Sequence, residues 1–280
     1  MADELIINLA PTGMVPTRAD SPHVPLTPEA VAAEVRRCVD LGVSIVHVHP
    51  RDAAGQPSQD PQLAAEFIRA IRTTAPSVVV GITTSGRVNP ALRERAAVLA
   101  LEGDARPEMA SLTLGSMNFP RQASVNAPET IHGLAERMAE RGIVPEWEVF
   151  DAGMLDYAGY LRGKGLLGDP VYANLLLGSL GTLAATPANL ALLVDRLPAG
   201  ATWSGAGIGR YQFLINRLSI AMGGHVRVGL EDNLWFDDAR TELATNARLV
   251  ERVVAIGRSM GREPASPAQV RERLGILSLD

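Results

Sequence analysis

Short runs of β-branched and aliphatic residues alternate with helical periodicity along the chain, and this alternation constrains the fold most. The predicted strands cover 5–10, 43–49, 78–83, 109–114, 146–150, 171–177, 202–204 and 226–230, with the weakest signals at 171–177 and 202–204. Strands that alternate with helices form parallel sheets. Close to eight such units in 280 residues is the size of a (β/α)8 barrel. We therefore predict an α/β fold of the TIM barrel class, with a doubly wound open sheet as the alternative.

The predicted helices fill the intervals between these strands. The first begins after Thr27, a favourable N-cap, with Pro28 at its first position, and it ends near Leu41 before Gly42. The others cover 62–72, 91–101, 128–140, 155–161, 188–196, 210–222 and 239–257. Because no stretch resembles a linker, we predict one domain over 1–280. A short C-terminal extension from about residue 262 is expected to pack on the barrel or on a neighbouring subunit.

Composition excludes several classes of function. The net charge of -5 and the lack of a basic run disfavour a nucleic-acid binder. No apolar stretch reaches the ~20 residues of a membrane span, and the first ten residues lack the basic region of a secretory signal, so we expect a cytoplasmic protein. Cys38 lies mid-helix, where a packing role is favoured. Lys164 is the one lysine among 26 Lys and Arg residues, and its glycine neighbours disfavour Schiff-base chemistry.

A barrel places its functional residues where strands end. The sharpest pattern there is His47-Val48-His49, because residues two apart on a strand face the same side. Two neutral imidazoles side by side suit a divalent metal. Glu231, just past the last predicted strand, is the best third ligand. This set predicts catalytic zinc, with manganese or iron as alternatives.

Two further residues of the last strand–loop segment carry charge near this pattern. Arg227 lies mid-strand on the face of Glu231 and needs an anion. That anion is either a neighbouring carboxylate, Asp232 or Glu148, or a substrate carboxylate. Asp232, beside the predicted ligand, is the candidate general base, with a surface or helix-capping role as the alternative.

A glycine-rich segment, 205–210, follows a late strand. Its backbone amides are candidates for binding a phosphate or carboxylate, and a plain tight turn is the alternative reading. Ser116 and Ser204 also stand at strand ends, and we expect both to contact substrate together with Gly207 and Gly209. His132 and His225 are predicted to be structural.

The chain resembles the β-keto acid cleavage enzymes. The resemblance rests on stretches across nearly the whole sequence: 27–29, 45–49 with 51–52, 55–59, 106–111, 115–119, 145–150, 202–204 with 207–210, and 223–233. It implies a (β/α)8 barrel with zinc on the residues matching His47, His49 and Glu231. It also implies that a β-keto acid and acetyl-CoA, as cosubstrate, give acetoacetate and a new acyl-CoA.

Individual roles follow from the same resemblance. It implies that Asp232 drives proton transfer with assistance from Arg227, and that Glu148 supports the site. Thr83 stands where the family has a small hydroxyl residue, although threonine in place of serine disfavours a covalent role. Ser111 and Thr113 match substrate contacts. Family members are commonly tetramers, so a homo-oligomer, tetramer or dimer, is expected.

One departure from the family pattern concerns substrate choice. Val15 stands where members that act on amino-bearing keto acids place a glutamate. Without a carboxylate there, an ammonium group lacks its partner. We therefore expect a substrate whose tail is neutral, apolar or anionic.

Two other functions remain open at this stage. One is a metal-dependent lyase or isomerase of sugar acids that binds a phosphate at 205–210. The other is a non-catalytic sensor of a small ligand, against which the intact set of His47, His49, Glu231 and Asp232 argues.

Overall fold

A computed structural model describes residues 3–120 and 122–277 of the chain. Its strands, in chain order, are β1 (Ile7–Leu9), β2 (Ile45–Val48), β3 (Val79–Ile82), β4 (Met109–Thr113), β5 (Met117–Asn118), β6 (Ala123–Ser124), β7 (Val144–Val149), β8 (Tyr172–Leu177), β9 (Thr202–Gly207) and β10 (His225–Val228). All except β5 and β6 pair in parallel and close a barrel in the order β1-β10-β9-β8-β7-β4-β3-β2. The predicted TIM barrel is confirmed, and the open sheet is wrong.

The barrel is surrounded by helices. They are α1 (Pro28–Asp40), α2 (Pro61–Thr74), α3 (Leu92–Ala96), α4 (Pro128–Glu140), α5 (Ala152–Gly163), α6 (Pro187–Asp195), α7 (Gln212–Ala221), α8 (Asn246–Ser259) and α9 (Pro267–Leu274). Of these, α1, α2, α6 and α9 begin with both a proline and a polar side-chain cap. Short 3-10 turns cover Ala97–Ala100, Gly103–Ala105 and Gly209–Tyr211. The Thr27 side chain caps α1 as predicted. Within the described ranges, every helix is too short or too polar to cross a bilayer.

The structure corrects several predicted boundaries. Both weak strands exist, and β9 continues through the glycines to Gly207. The last long helix begins at Asn246 rather than 239, because the Thr245 side chain accepts the Arg248 N–H and caps it there. The β5–β6 hairpin and α9 are elements that the sequence reading missed.

The amino-terminal end of the barrel is closed by α9. Val270, Leu274 and Ile276 pack against the inward-facing apolar side chains of the strands, namely Ile6, Ile45, Val79, Met109 and Tyr172. The chain beyond Arg262 thus packs on the barrel, while its assignment as an extension of one domain stays a prediction.

His225, predicted to be structural, lies at this same closed end. It is buried, and its Nδ1 accepts the Ile6 N–H at 3.1 Å. Burial lowers the pKa of His225 to about 3, and the guanidinium groups of Arg262 and Arg273 add to this effect. The imidazole is therefore neutral in the folded chain at ordinary pH.

We expect Leu274→Ala to lower the free energy of unfolding by about 3 kcal/mol, because it leaves a cavity among fully buried side chains. Urea denaturation would measure the change. Leu277→Ala is the matched control, since Leu277 is 70% exposed, and it should have almost no effect. Equal effects of the two variants would contradict a stabilising role of α9 at the barrel end.

The state of His225 predicts a pH dependence of stability. Since its folded pKa lies below the ordinary value of 6.5, the unfolded chain binds this proton more readily. The contribution of neutral His225 to the free energy of unfolding is complete above about pH 6.5. It falls by up to about 1.4 kcal/mol per pH unit as the pH drops toward 3. His225→Asn keeps an acceptor without titrating, so its unfolding free energy should vary less between pH 6.5 and 4.5. Parallel pH curves for the two proteins would contradict this assignment.

Candidate active site

The three predicted metal ligands meet at the carboxyl ends of the strands. The Nε2 atoms of His47 and His49 lie 3.0 Å apart, and His49 Nε2 lies 3.2 Å from Glu231 Oε1. One ligand atom from each residue falls within 4.8 Å of the others. This arrangement has two causes. Strand alternation places both imidazoles on one side of β2, and β1 pairs with both β2 and β10, which brings the end of β10 close to the histidines.

The chemistry of this cluster suits a divalent cation. Glu231 Oε2 is buried and has no hydrogen-bond partner among the described residues. Two imidazole nitrogens and one carboxylate oxygen are a usual ligand set for catalytic zinc. Burial lowers the pKa of His49, which favours the neutral form that binds metals. The residues present therefore fit a metal ion held by His47, His49 and Glu231.

Glu146 fixes His47 from behind. Its Oε2 lies 2.6 Å from His47 Nδ1, and its Oε1 accepts from the side-chain amides of Asn8 and Asn174 at 2.6 Å each. Burial raises the pKa of Glu146, but the charge and hydrogen bond of His47 outweigh it and bring the pKa to about 2. Such a carboxylate orients a metal-binding imidazole and leaves Nε2 for the ion.

Sequence reasoning did not assign this role to Glu146, although a signal was available. Glu146 and Glu148 alternate with Trp147 in β7, so both carboxylates face the barrel interior while the indole packs outward. For His47, burial lowers the pKa, but the Glu146 carboxylate outweighs this and raises it to about 9.

Arg227 joins three carboxylates. Its Nη2 lies 2.7 Å from Glu231 Oε1, its Nε donates to Asp232 Oδ2 at 3.1 Å, and its Nη1 lies 3.4 Å from Glu148 Oε1. The sequence predicted that Arg227 pairs either with neighbouring carboxylates or with a substrate carboxylate. The structure shows pairs with the neighbouring carboxylates. Burial raises the pKa of Asp232 to about 6, opposed by Arg227, whereas the attraction of Arg227 outweighs burial and holds the pKa of Glu231 well below its usual range.

The hydroxyl residues predicted for the site differ in what they contact. Thr113 Oγ1 donates to Glu148 Oε2 at 2.7 Å, and so holds that carboxylate toward Arg227. Ser111 bonds to Thr84 through both its hydroxyl and its carbonyl. Thr83 follows β3, and its hydroxyl accepts the Ser85 N–H at 3.1 Å, which fixes the loop after β3.

The other predicted substrate contacts lie in different settings. Ser204 is fully buried and pairs with Tyr172 Oη at 2.8 Å, in the polar layer below the metal ligands. Ser116 is exposed and accepts the Asn126 N–H at the base of the β5–β6 hairpin. Val15 is 61% exposed in the loop after β1.

The glycine-rich segment is a closely packed turn. A Cβ on Gly207 would lie 2.2 Å from the Tyr211 carbonyl oxygen, so only glycine fits. The Gly209 N–H donates to the Asp232 carbonyl at 2.6 Å, and the Ile208 N–H donates to Leu177. These two amides are therefore engaged within the protein, which supports the tight-turn reading over an anion site.

The loop after β1 packs directly on Glu231, one of the predicted metal ligands. Gly13 has a φ of +68°, and a Cβ there would lie 2.4 Å from Glu231 Cγ. Arg51 fixes this loop by donating to the Gly13 and Pro16 carbonyls at 2.8 and 2.9 Å. Sequence reasoning missed this role of Arg51, whose signal was its place directly after the His47–His49 strand.

The residues that the sequence excluded from catalysis lie outside this site. Cys38 is buried, and burial raises the pKa of its thiol, as expected of a packing residue. Lys164 lies over the Tyr160 ring, and His132 bonds to Tyr157.

Comparisons with known proteins identify the family of this chain. The family profile described as "beta-keto acid cleavage enzyme" matches residues 4–276. The chain is 38% identical over 277 residues to a 3-keto-5-aminohexanoate cleavage enzyme of Fusobacterium nucleatum, covering 99% of each chain. It is 36% identical over 283 residues to a 3-oxoadipate:acetyl-CoA acetyltransferase of Cupriavidus necator, covering 100% of this chain and 98% of the relative.

A solved structure shows the same fold. The apo structure of ObcA superposes with a TM-score of 0.83 at 24% sequence identity, over 92% of this chain and 66% of that one. The match of the family profile over nearly the whole sequence, together with relatives of equal length, assigns this chain to the β-keto acid cleavage enzyme family.

Proposed function

We propose that this enzyme exchanges acyl groups between a β-keto acid and acetyl-CoA, with a metal ion at His47, His49 and Glu231. The observation that carries the proposal is the position of Asp232, which Arg227 holds directly beside the three metal ligands at one end of the barrel. The names of two relatives, a keto acid cleavage enzyme and an acetyl-CoA acetyltransferase, support the same reaction class.

The exchange balances without another reactant. The bond between C2 and C3 of the keto acid breaks, and so does the bond between the acetyl carbon and sulfur in acetyl-CoA. A new carbon–carbon bond joins C2 to the acetyl group as acetoacetate, and a new thioester joins the former C3 acyl group to CoA. The reaction needs a base that removes a proton from C2 and returns one to the product.

The site residues meet this need as follows. A bound metal supplies Lewis acidity, which polarises the ketone of the keto acid. Asp232 moves the C2 proton, and Arg227 holds the Asp232 carboxylate in place through Nε and Nη2. Glu148 supports Arg227, and Thr113 supports Glu148. Thr83 lines the site at the end of β3, as proposed from the family pattern.

The substrate contacts and the setting of the enzyme belong to the same proposal. Ser111 and Thr113 are proposed substrate contacts on the resemblance, and Ser116, Ser204, Gly207 and Gly209 are proposed on their places at strand ends and in the glycine-rich segment. Val15 leaves the loop after β1 without a carboxylate for an ammonium group. Zinc is the proposed metal on ligand type. A cytoplasmic homo-oligomer, tetramer or dimer, is proposed on the family resemblance.

His49→Ala should abolish metal binding, because it removes one of three ligands. Elemental analysis of the purified enzyme should find about one zinc per chain, and the variant should hold almost none. A chelator should lower the melting temperature of the parent enzyme and leave that of the variant unchanged. His132→Ala, which removes a histidine outside the barrel, should keep its metal. Full zinc occupancy in the His49 variant would contradict the ligand assignment.

Asp232→Asn should keep the metal and lose turnover by roughly 100- to 10,000-fold, because it removes the base without removing a ligand. Acetoacetate formation from acetyl-CoA and a panel of β-keto acids measures the rate, and elemental analysis measures the metal. Asp238→Asn, at an exposed position in the same loop, is the control with the same charge change. An unchanged rate in the Asp232 variant would show that another group moves the proton.

A further inference from the structure

Arg87 is a cation of the functional end that the proposed reaction does not use. It lies in the loop after β3, half-buried, with its Cζ 4.7 Å from the centroid of the Phe119 ring. Arg227 contacts three carboxylates, whereas the Arg87 guanidinium forms no ion pair within the described residues. A guanidinium stacked on an aromatic face keeps its edge N–H groups free for an anion.

The loop that carries Arg87 is fixed from both sides. The Gln59 side-chain amide donates to the Ser85 and Asn89 carbonyls at 2.8 and 3.0 Å. The buried Arg95 donates from Nε to the Thr84 carbonyl at 2.6 Å. These bonds hold the backbone on each side of Arg87, so its side chain starts from a defined position.

Arg87 also lies within the electrostatic field of the active site. Burial lowers the pKa of Arg87, and the carboxylates of Glu231, Glu148 and Asp232 act against this effect. Each of those three carboxylates already forms an ion pair with Arg227. Arg87 therefore has no carboxylate partner among the described residues, and the edge of its guanidinium is available to an anionic group of a bound molecule.

We propose that Arg87 binds a second carboxylate, at the far end of the keto acid, and that the preferred substrates are 3-oxo dicarboxylic acids. The inference rests on the proposed function and selects among the tails that Val15 leaves open. Val15, 61% exposed in the loop after β1, offers no charge to a cationic tail. Arg87, across β2 from that loop, offers a positive charge to an anionic one.

The test compares two acids of equal length, 3-oxoadipate and 3-oxohexanoate, which differ only in the terminal carboxylate. The readout is the ratio of their kcat/KM values with acetyl-CoA. Arg87→Gln should lower this ratio by roughly 10- to 100-fold, the effect of losing one charge-assisted pair. Arg87→Lys should keep part of the preference, because it retains the charge. Arg93→Gln, the same change at an exposed position of α3, should leave the ratio as in the parent enzyme.

Other outcomes would overturn the proposal. An equal loss with both acids would mean that Arg87 acts on a group that they share or only supports the loop. A rise in KM for acetyl-CoA at a constant ratio would assign Arg87 to a phosphate of the cosubstrate instead.

A binding measurement separates this inference from the proposed reaction. Calorimetry with adipate and hexanoate, which lack the keto group, should show tighter binding of adipate to the zinc-loaded parent enzyme and loss of that preference in Arg87→Gln. Equal binding by the parent enzyme would contradict the role of Arg87, whatever the turnover. Absence of turnover with the whole keto acid panel, with the adipate preference intact, would contradict the proposed reaction alone.

Discussion

The candidate active site depends on the ion pairs that the buried Arg227 guanidinium forms with three carboxylates. A lone cation in a barrel interior is costly, and Arg227 is stabilised only because Glu148, Glu231 and Asp232 surround it. Each carboxylate would in turn be costly without the arginine. The group is complete only in the closed barrel, where β7 supplies Glu148 and β10 supplies Arg227. The result is that Glu231, a proposed metal ligand, and Asp232, the proposed general base, are held side by side.

Below this group, the barrel interior changes from polar to apolar in layers. Glu146 receives three short hydrogen bonds, two from asparagine amides and one from His47, which allows a charge to lie at the barrel centre. Beneath it, Ile6, Met109 and the side chains of α9 close the other end. Rigid support of this kind keeps a metal-binding imidazole in one orientation. It also confines access of substrate to the end where the loops lie.

The loops around that end have two roles in our proposal. Some residues support the metal site, and others, Val15 and Arg87, select the substrate. Gly13 and Arg51 bring the first loop onto Glu231, which ties it to the metal ligands. Val15 and Arg87 extend beyond the ligands, on loops that flank β2. Substitutions at these two positions can change the accepted tail while the group around Arg227 stays intact.

The sequence by itself determined the barrel and the start of α1 at Thr27, and it placed His47, His49 and Glu231 at the same end of the barrel as Arg227 and Asp232. Each of these follows from a local period or from neighbours along the chain. Only the tertiary structure decided that Ser204 is buried under the site, that the Ile208 and Gly209 amides are engaged, and that Glu146 holds His47. It also showed that α9 closes one barrel end and that Arg87 forms no ion pair with another described residue. These features depend on contacts between residues far apart in sequence, which spacing and periodicity do not encode.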